Sequence, residues 1–163
     1  MKTLLIMRHA KSSWNDASLK DIDRPLNARG KKDAPNMGQF LKSQQLFPEK
    51  VYCSPARRTR STLKKMMSGV GLELPAAFPD ALYYGGTEAY LSAVASTSSE
   101  VDTVMTLGHN PMTEDFIDML AEAPVHKPVK TACIACLQAD IAHWMDLEAR
   151  SCRLLWLKGP KDI

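Results

Sequence analysis

Two histidines each stand directly after a short apolar run, beside residues suited to anions. Arg8-His9-Ala10 follows Leu4-Leu5-Ile6-Met7, and Gly108-His109-Asn110-Pro111 follows Val104-Met105-Thr106-Leu107. A neutral imidazole is a nucleophile and proton carrier near neutral pH. An adjacent arginine disfavours the imidazolium and so keeps the ring nucleophilic. The guanidinium fork is also well shaped to hold a phosphate by two hydrogen bonds. A third element, Ser54-Pro55-Ala56-Arg57-Arg58, places two arginines in the first turn of a predicted helix. The free N–H groups there already attract anions, and positive side chains oppose the helix dipole. A bound phosphate would give those arginines a reason to be there. Arg57 and Arg58 point about 100° apart around a helix, so at most one reaches a common pocket. Taken singly, these residues also fit a loop histidine, a solvated basic face and a turn. Together, at matching places in one architecture, they read as a site for phosphoryl chemistry. His126 and His143 have no such neighbours and read as surface or packing histidines.

The elements that must carry these residues follow from hydrophobic patterning. Leu4–Met7 is a short, wholly apolar run, as expected of a buried central strand. The polar stretch Lys11–Asn27 predicts a loop over that strand's end. Arg29–Gln45 predicts a helix burying Met37, Phe40 and Leu41, with Pro35 in its first turn or kinking it. Glu49–Cys53 predicts a second strand. Ser54 as N-cap and Pro55 at the first helical position then open a helix to about Met67. Leu72–Phe78 is a weak third strand containing Pro75, and Asp80–Gly86 a loop holding Tyr83 and Tyr84. Thr87–Ala95 predicts a helix with Thr87 as its cap and Tyr90, Leu91 and Val94 inward. Asp102–Leu107 predicts the fourth strand and Met112–Leu120 the helix after it. Thr131–Ala139 and Ser151–Trp156 predict later strands. Strands alternating with helices predict an α/β fold, a three-layer αβα sandwich with a mostly parallel central sheet. In such sheets ligands sit at the carboxyl ends of the strands. His9 and His109 are both expected there, although a hundred residues of chain separate them.

The totals restrict the alternatives. The length of 163 residues predicts one domain over residues 1–163. The net charge is +3 and the cations are scattered except at Arg57-Arg58-Thr59-Arg60 and Lys64-Lys65. With no interleaved aromatic stripe, no nucleic-acid partner is expected. Cys53, Cys133, Cys136 and Cys152 read as buried hydrophobes of a reducing compartment. Cys133 and Cys136 form a lone C-x-x-C without a second ligand pair, so no metal site is expected. No apolar stretch is long enough to span a membrane, and the N-terminal run is cut by Arg8. A cytoplasmic protein without a membrane partner is the expectation.

Arg8-His9-Ala10, Ser54-Pro55-Ala56-x-Arg58-x-x-x-Thr62 and Gly108-His109-Asn110-Pro111, in this order, resemble the three signatures of the histidine phosphatase superfamily, also called phosphoglycerate-mutase-like. Lys11-Ser12-Ser13-Trp14 and Asp23-Arg24-Pro25-Leu26, with Gly30 beyond, are similar to its small SixA-type phosphohistidine phosphatases. The likeness runs from Thr3 to about Trp156. The resemblance implies that His9 is the nucleophile and becomes phosphorylated. It implies that Arg8 and Arg58 bind the phosphoryl oxygens and that His109 donates to the same oxygens. Arg24 matches the Arg-Pro-Leu position and would close over the phosphate. It implies no cofactor, a covalent two-step reaction and inorganic phosphate as product.

One departure from the family pattern bears on the substrate. Many members carry a glutamate acid where this chain has Leu82-Tyr83-Tyr84-Gly85-Gly86, with Asp80 and Glu88 nearby but shifted. A poor leaving group needs an acid in the transition state, whereas imidazole leaving from phosphohistidine can be protonated beforehand. The expected substrate is therefore a phosphohistidine-containing protein. A small phosphate ester cleaved by the same fold is the nearest alternative, and a phosphomutase or a non-catalytic phosphoprotein-binding module are further ones.

Overall fold

The computed structural model describes residues 1–163. Six strands form one sheet in the order β3-β2-β4-β1-β5-β6. They are β1 (Lys2–Arg8), β2 (Lys50–Cys53), β3 (Ala76–Ala77), β4 (Thr103–Gly108), β5 (Ile134–Ala139) and β6 (Cys152–Lys158). β1, β2, β3 and β4 pair in parallel, while β5 and β6 pair antiparallel. The sheet is thus mostly parallel, as sequence alternation predicts, with an antiparallel edge at β5 and β6. The connection between β5 and β6 holds one 3-10 turn at Trp144–Asp146 and no α-helix to cross the sheet. A connection of that kind can return the chain antiparallel, whereas parallel strands need a crossover.

Helices cover both faces. They are α1 (Ala28–Ser43), α2 (Arg57–Val70), α3 (Ala81–Tyr84), α4 (Thr87–Ala95) and α5 (Met112–Leu120). Alternate residues of β1 feed opposite cores, as the two-residue period of a strand requires. Leu5 and Met7 pack with Met37, Leu41, Leu63 and Met66 of α1 and α2. Leu4 and Ile6 pack with Tyr90, Val94, Phe116 and Leu120 of α4 and α5, and with Trp144. No helix is long and apolar enough to cross a membrane. All four cysteines are free and buried. Cys133 and Cys136 lie in different cores, one on each side of the sheet. Burial pushes the Cys53 thiol up to about 12 and Cys136 up to about 11, the behaviour of packed hydrophobes.

Several local expectations are corrected. Pro35 lies inside α1, not in its first turn, and the helix runs through it. The third strand shrinks to two residues, because Pro75 lacks an N–H to donate. The segment read as a loop from Asp80 to Gly86 contains the short helix α3, and Gly86, not Thr87, caps α4. The helix after β2 begins at Arg57 with Ala56 as its cap, not with Ser54. The Ser54 hydroxyl has another partner, described below.

Candidate active site

Register brings the two histidines together. β1 and β4 are neighbours, with Arg8 opposite Gly108, so His9 and His109 leave adjacent strand ends. The His9 N–H donates to the Gly108 carbonyl at 3.0 Å, and the two imidazole centroids are 5.4 Å apart. β2 ends on the other side of β4, where the Ser54 N–H donates to the Leu107 carbonyl. The start of α2 therefore meets the same spot. Gly108, with no side chain, allows a neighbouring group to approach the strand end closely. The group that approaches is Tyr90, whose hydroxyl would lie 2.2 Å from a Cβ at that position. Tyr90 donates to the Leu82 carbonyl at 2.6 Å and holds α3 and α4 against the strand end.

Arg8, His9, Arg24, Arg58 and His109 line one pocket of about 160 Å3, with Lys11, Ser12, Trp14, Asn110 and Thr131. The lining holds four cations and no carboxylate. Larger grooves run along α2, but they hold no histidine.

His9 is buried and locked. Its Nδ1 lies 2.7 Å from the Ala10 carbonyl, which can only accept, so Nδ1 carries the proton and Nε2 keeps the lone pair. The Ala10 N–H donates in turn to the Thr62 hydroxyl at 3.0 Å, and that hydroxyl donates to the Arg58 carbonyl at 2.7 Å. This chain of contacts explains why Thr62 stands one turn after Arg58. Burial lowers the His9 pKa to about 3 despite the Ala10 contact, with His109, Arg58 and Arg8 pushing the same way. Burial, then Arg58, lowers His109 to about 4. Both rings are neutral at pH 7.

His109 Nε2 lies 2.7 Å from the Ser54 hydroxyl. The same hydroxyl accepts a longer contact, 3.4 Å, from the Ala56 N–H at the helix start, so Ser54 joins the histidine to the entry of α2, a link the sequence pattern had no means to show. His109 Nδ1 and Arg8 Nε are buried without partners, and both belong to residues of the pocket. Asn110 Oδ1, also of the pocket lining, is a third such atom. Buried polar atoms are nearly always satisfied, and the two nitrogens among the three fit an anionic ligand as donors. Arg8 is oriented by the Val129 carbonyl at 3.1 Å.

Asp21, which sequence reading passes over as a loop residue, organises the arginines. Its backbone carbonyl accepts from Arg58 at 2.7 Å, and its carboxylate accepts from Arg58 and Arg24, each at 3.0 Å. Tyr83 donates to the same carboxylate at 2.6 Å, and its ring stands edge-on to His109 at 5.7 Å. The Tyr83 hydrogen bond, with Arg58 and Arg24 behind it, holds Asp21 down at about 2. Asp21 is therefore ionised and has no proton to give at neutral pH. The Tyr83 phenol is raised, chiefly by that same hydrogen bond. Asp80 and Glu88 are exposed and do not line the pocket. Arg24 also donates to the Ser13 carbonyl and to the Ser12 hydroxyl, and its guanidinium lies 3.2 Å from the centroid of Trp14. The Lys11 carbonyl sits where a Cβ on Gly30 would be, 2.1 Å away, so that glycine lets α1 press on the pocket loop. His126 and His143 are exposed and outside the pocket. No group of three or more His, Cys, Asp or Glu side chains converges as a metal would require.

Replacing Asp21 with alanine is expected to lower kcat/KM on a small aryl phosphate by about 10–100-fold, since a misplacement of about 1 Å can cost on the order of 10²-fold. A loss under twofold in steady-state assays would mean that α2 alone places Arg58.

Residues 4–81 match the family model of the histidine phosphatase superfamily (branch 1). The chain is 36% identical over 159 residues to an uncharacterised chloroplast protein of Arabidopsis thaliana, spanning 92% of this chain and 72% of that one. It is 29% identical over 143 residues to the phosphohistidine phosphatase SixA of Escherichia coli K12, spanning 84% and 85%. A structure assigned as the phosphohistidine phosphatase SixA of Nakamurella multipartitia superposes with a TM-score of 0.83 at 28% identity, covering 98% of this chain and 96% of that one. Six strands between helical layers are the fold that this chain shares with that structure. The chain belongs to the histidine phosphatase superfamily and is a phosphatase.

Proposed function

We propose that this phosphatase removes phosphate from phosphohistidine carried on a protein, through a covalent intermediate on His9. The pocket lining carries this reading: four cations, two neutral imidazoles and no carboxylate to act as an acid. His9 Nε2 attacks phosphorus, and the P–N bond to the substrate imidazole breaks. The leaving imidazole departs protonated, which phosphohistidine permits without an enzyme acid. Water then attacks phosphorus on His9, the second P–N bond breaks and inorganic phosphate leaves. Arg8, Arg58 and Arg24 neutralise the phosphoryl oxygens, and His109 donates to them as charge builds. Positioning and charge neutralisation supply most of the catalysis in such transfers. The likeness to SixA proteins supports the same substrate class.

The test is the dependence of rate on the leaving group, measured with chelator present throughout. Phosphohistidine and aryl phosphates are expected to turn over about 10²–10⁴-fold faster than glycerol phosphate, the range a positioned acid would otherwise bridge. Nearly equal rates on aryl and alkyl esters would overturn the reading in favour of a small-molecule phosphomonoesterase. Asp80→Asn and Glu88→Gln would then be the first variants to assay.

A further inference from the structure

The exposed face of α2 carries one sign of charge. The helix holds five cations, Arg57, Arg58, Arg60, Lys64 and Lys65, and no carboxylate. Arg58 turns into the catalytic pocket and pairs with Asp21. The other four belong to none of the molecule's ion pairs. Arg57, Arg60 and Lys64 are exposed and follow one another at three- and four-residue spacing, which keeps them on one side of a helix. Like charges at that spacing repel, and cations in a first turn oppose the helix dipole. The stripe disfavours the helix that bears it, so its placement calls for an external partner.

These side chains line a groove of about 640 Å3 between α2, the turn Asp21–Asp23, Glu73 and Phe78. A second hollow of about 700 Å3 continues it along α2, sharing Ser61, Lys64, Met67 and Glu73. The groove and the catalytic pocket share no lining residue, but chain neighbours join them. Asp21 holds Arg58 in the pocket, while Ile22 and Asp23, the next residues, form the groove wall. Neighbours Arg57 and Arg58 divide between the two. A chain leaving the phosphoryl pocket across this turn runs onto α2. Phe78, 41% exposed with the Arg60 guanidinium 5.2 Å from its ring centroid, adds an apolar contact beside the charges.

We infer that this face of α2 is a docking track for an acidic segment of the phosphorylated protein substrate, an inference that rests on the phosphohistidine reading above. Asp23 and Glu73 stand among the cations. They would repel a chain charged at every unit, as a nucleic acid is, and they suit a peptide of mixed but mainly acidic character.

Three phosphohistidine peptides of equal length, flanked by glutamate, glutamine or lysine, test this beside free phosphohistidine. The wild type is expected to prefer the glutamate-flanked over the lysine-flanked peptide by about tenfold in kcat/KM at low salt, with the gap closing as salt rises. Arg60→Glu combined with Lys64→Glu should invert that order and leave free phosphohistidine within about twofold of wild type. Both side chains are exposed, and an unchanged Tm would confirm that the variant is folded. Cleavage of free phosphohistidine with no preference among the peptides would overturn the docking track. So would a preference that survives the double variant. Tighter binding of a single-stranded RNA than of the glutamate peptide, lost in the variant, would assign the face to nucleic acid and also overturn it. Failure to cleave free phosphohistidine, with alkyl phosphates turned over, would instead sink the phosphohistidine reading itself.

Discussion

His9→Ala is expected to abolish turnover, by roughly 10³–10⁶-fold, the scale on which removal of an attacking group acts. The imidazole is the one group in the pocket whose lone pair is fixed by structure, through the Nδ1 contact with the Ala10 carbonyl. Its loss leaves the backbone bonds from His9 to Gly108 and from Ala132 to His9 untouched, so the fold should persist. Near-native circular dichroism with lost activity is the expected pair of results. The wild type, quenched during turnover, should carry phosphate that is labile in acid and stable in base. Activity above a few per cent in His9→Ala would remove His9 from the nucleophile's role. The pH profile offers a second check. If His9 is the nucleophile, its neutral ring attacks, and with a pKa lowered to about 3 it stays available as pH falls from 7 to 5. An unperturbed histidine would already lose more than tenfold by pH 5. A kcat/KM that falls along an ordinary histidine titration, on a substrate whose own ionisation has been allowed for, would contradict the buried neutral ring.

Arg58→Ala should cost about 10²–10⁴-fold in kcat/KM on an aryl phosphate, and at least tenfold more than Arg57→Ala. Each charge-assisted contact with a phosphoryl oxygen is worth roughly 1.5–3 kcal/mol, and more where charge develops in the transition state. A second effect adds to the first. Arg58 neutralises Asp21 at 3.0 Å, so its removal leaves an ionised carboxylate less screened beside an incoming phosphate. Arg57 is exposed, donates only to the Asp23 carbonyl at 3.4 Å and lies outside the pocket. Equal small losses from both changes would reduce the basic turn to a solvated helix face. Asp21→Ala combined with Arg58→Ala should cost less than the two changes summed, because they share one contact.

The amino-acid sequence by itself determined the residue types at the pocket and the elements that deliver them. Runs rich in apolar residues before His9 and His109 mark buried strands, because a strand covered on both faces buries nearly every side chain. The helix Met112–Leu120 was legible to the residue, since its apolar positions recur at helical spacing between a proline and a change of composition. Periodicity is a local signal, and it says nothing about which strands become neighbours. Pairing of β1 with β4 places His9 5.4 Å from His109, and that distance comes from sheet order alone. The antiparallel return of β5 and β6 was hidden for the same reason. Ser54 looked like a helix cap because a serine before a proline usually is one, and only packing shows its hydroxyl on His109. Asp21 left no pattern at all, being one aspartate among several in a polar loop. It becomes the holder of two arginines and a tyrosine only when the Asp21–Asp23 turn folds over α2. Contacts across 37 and 62 residues of chain are decided by the global burial of the two cores, which no short window of sequence contains.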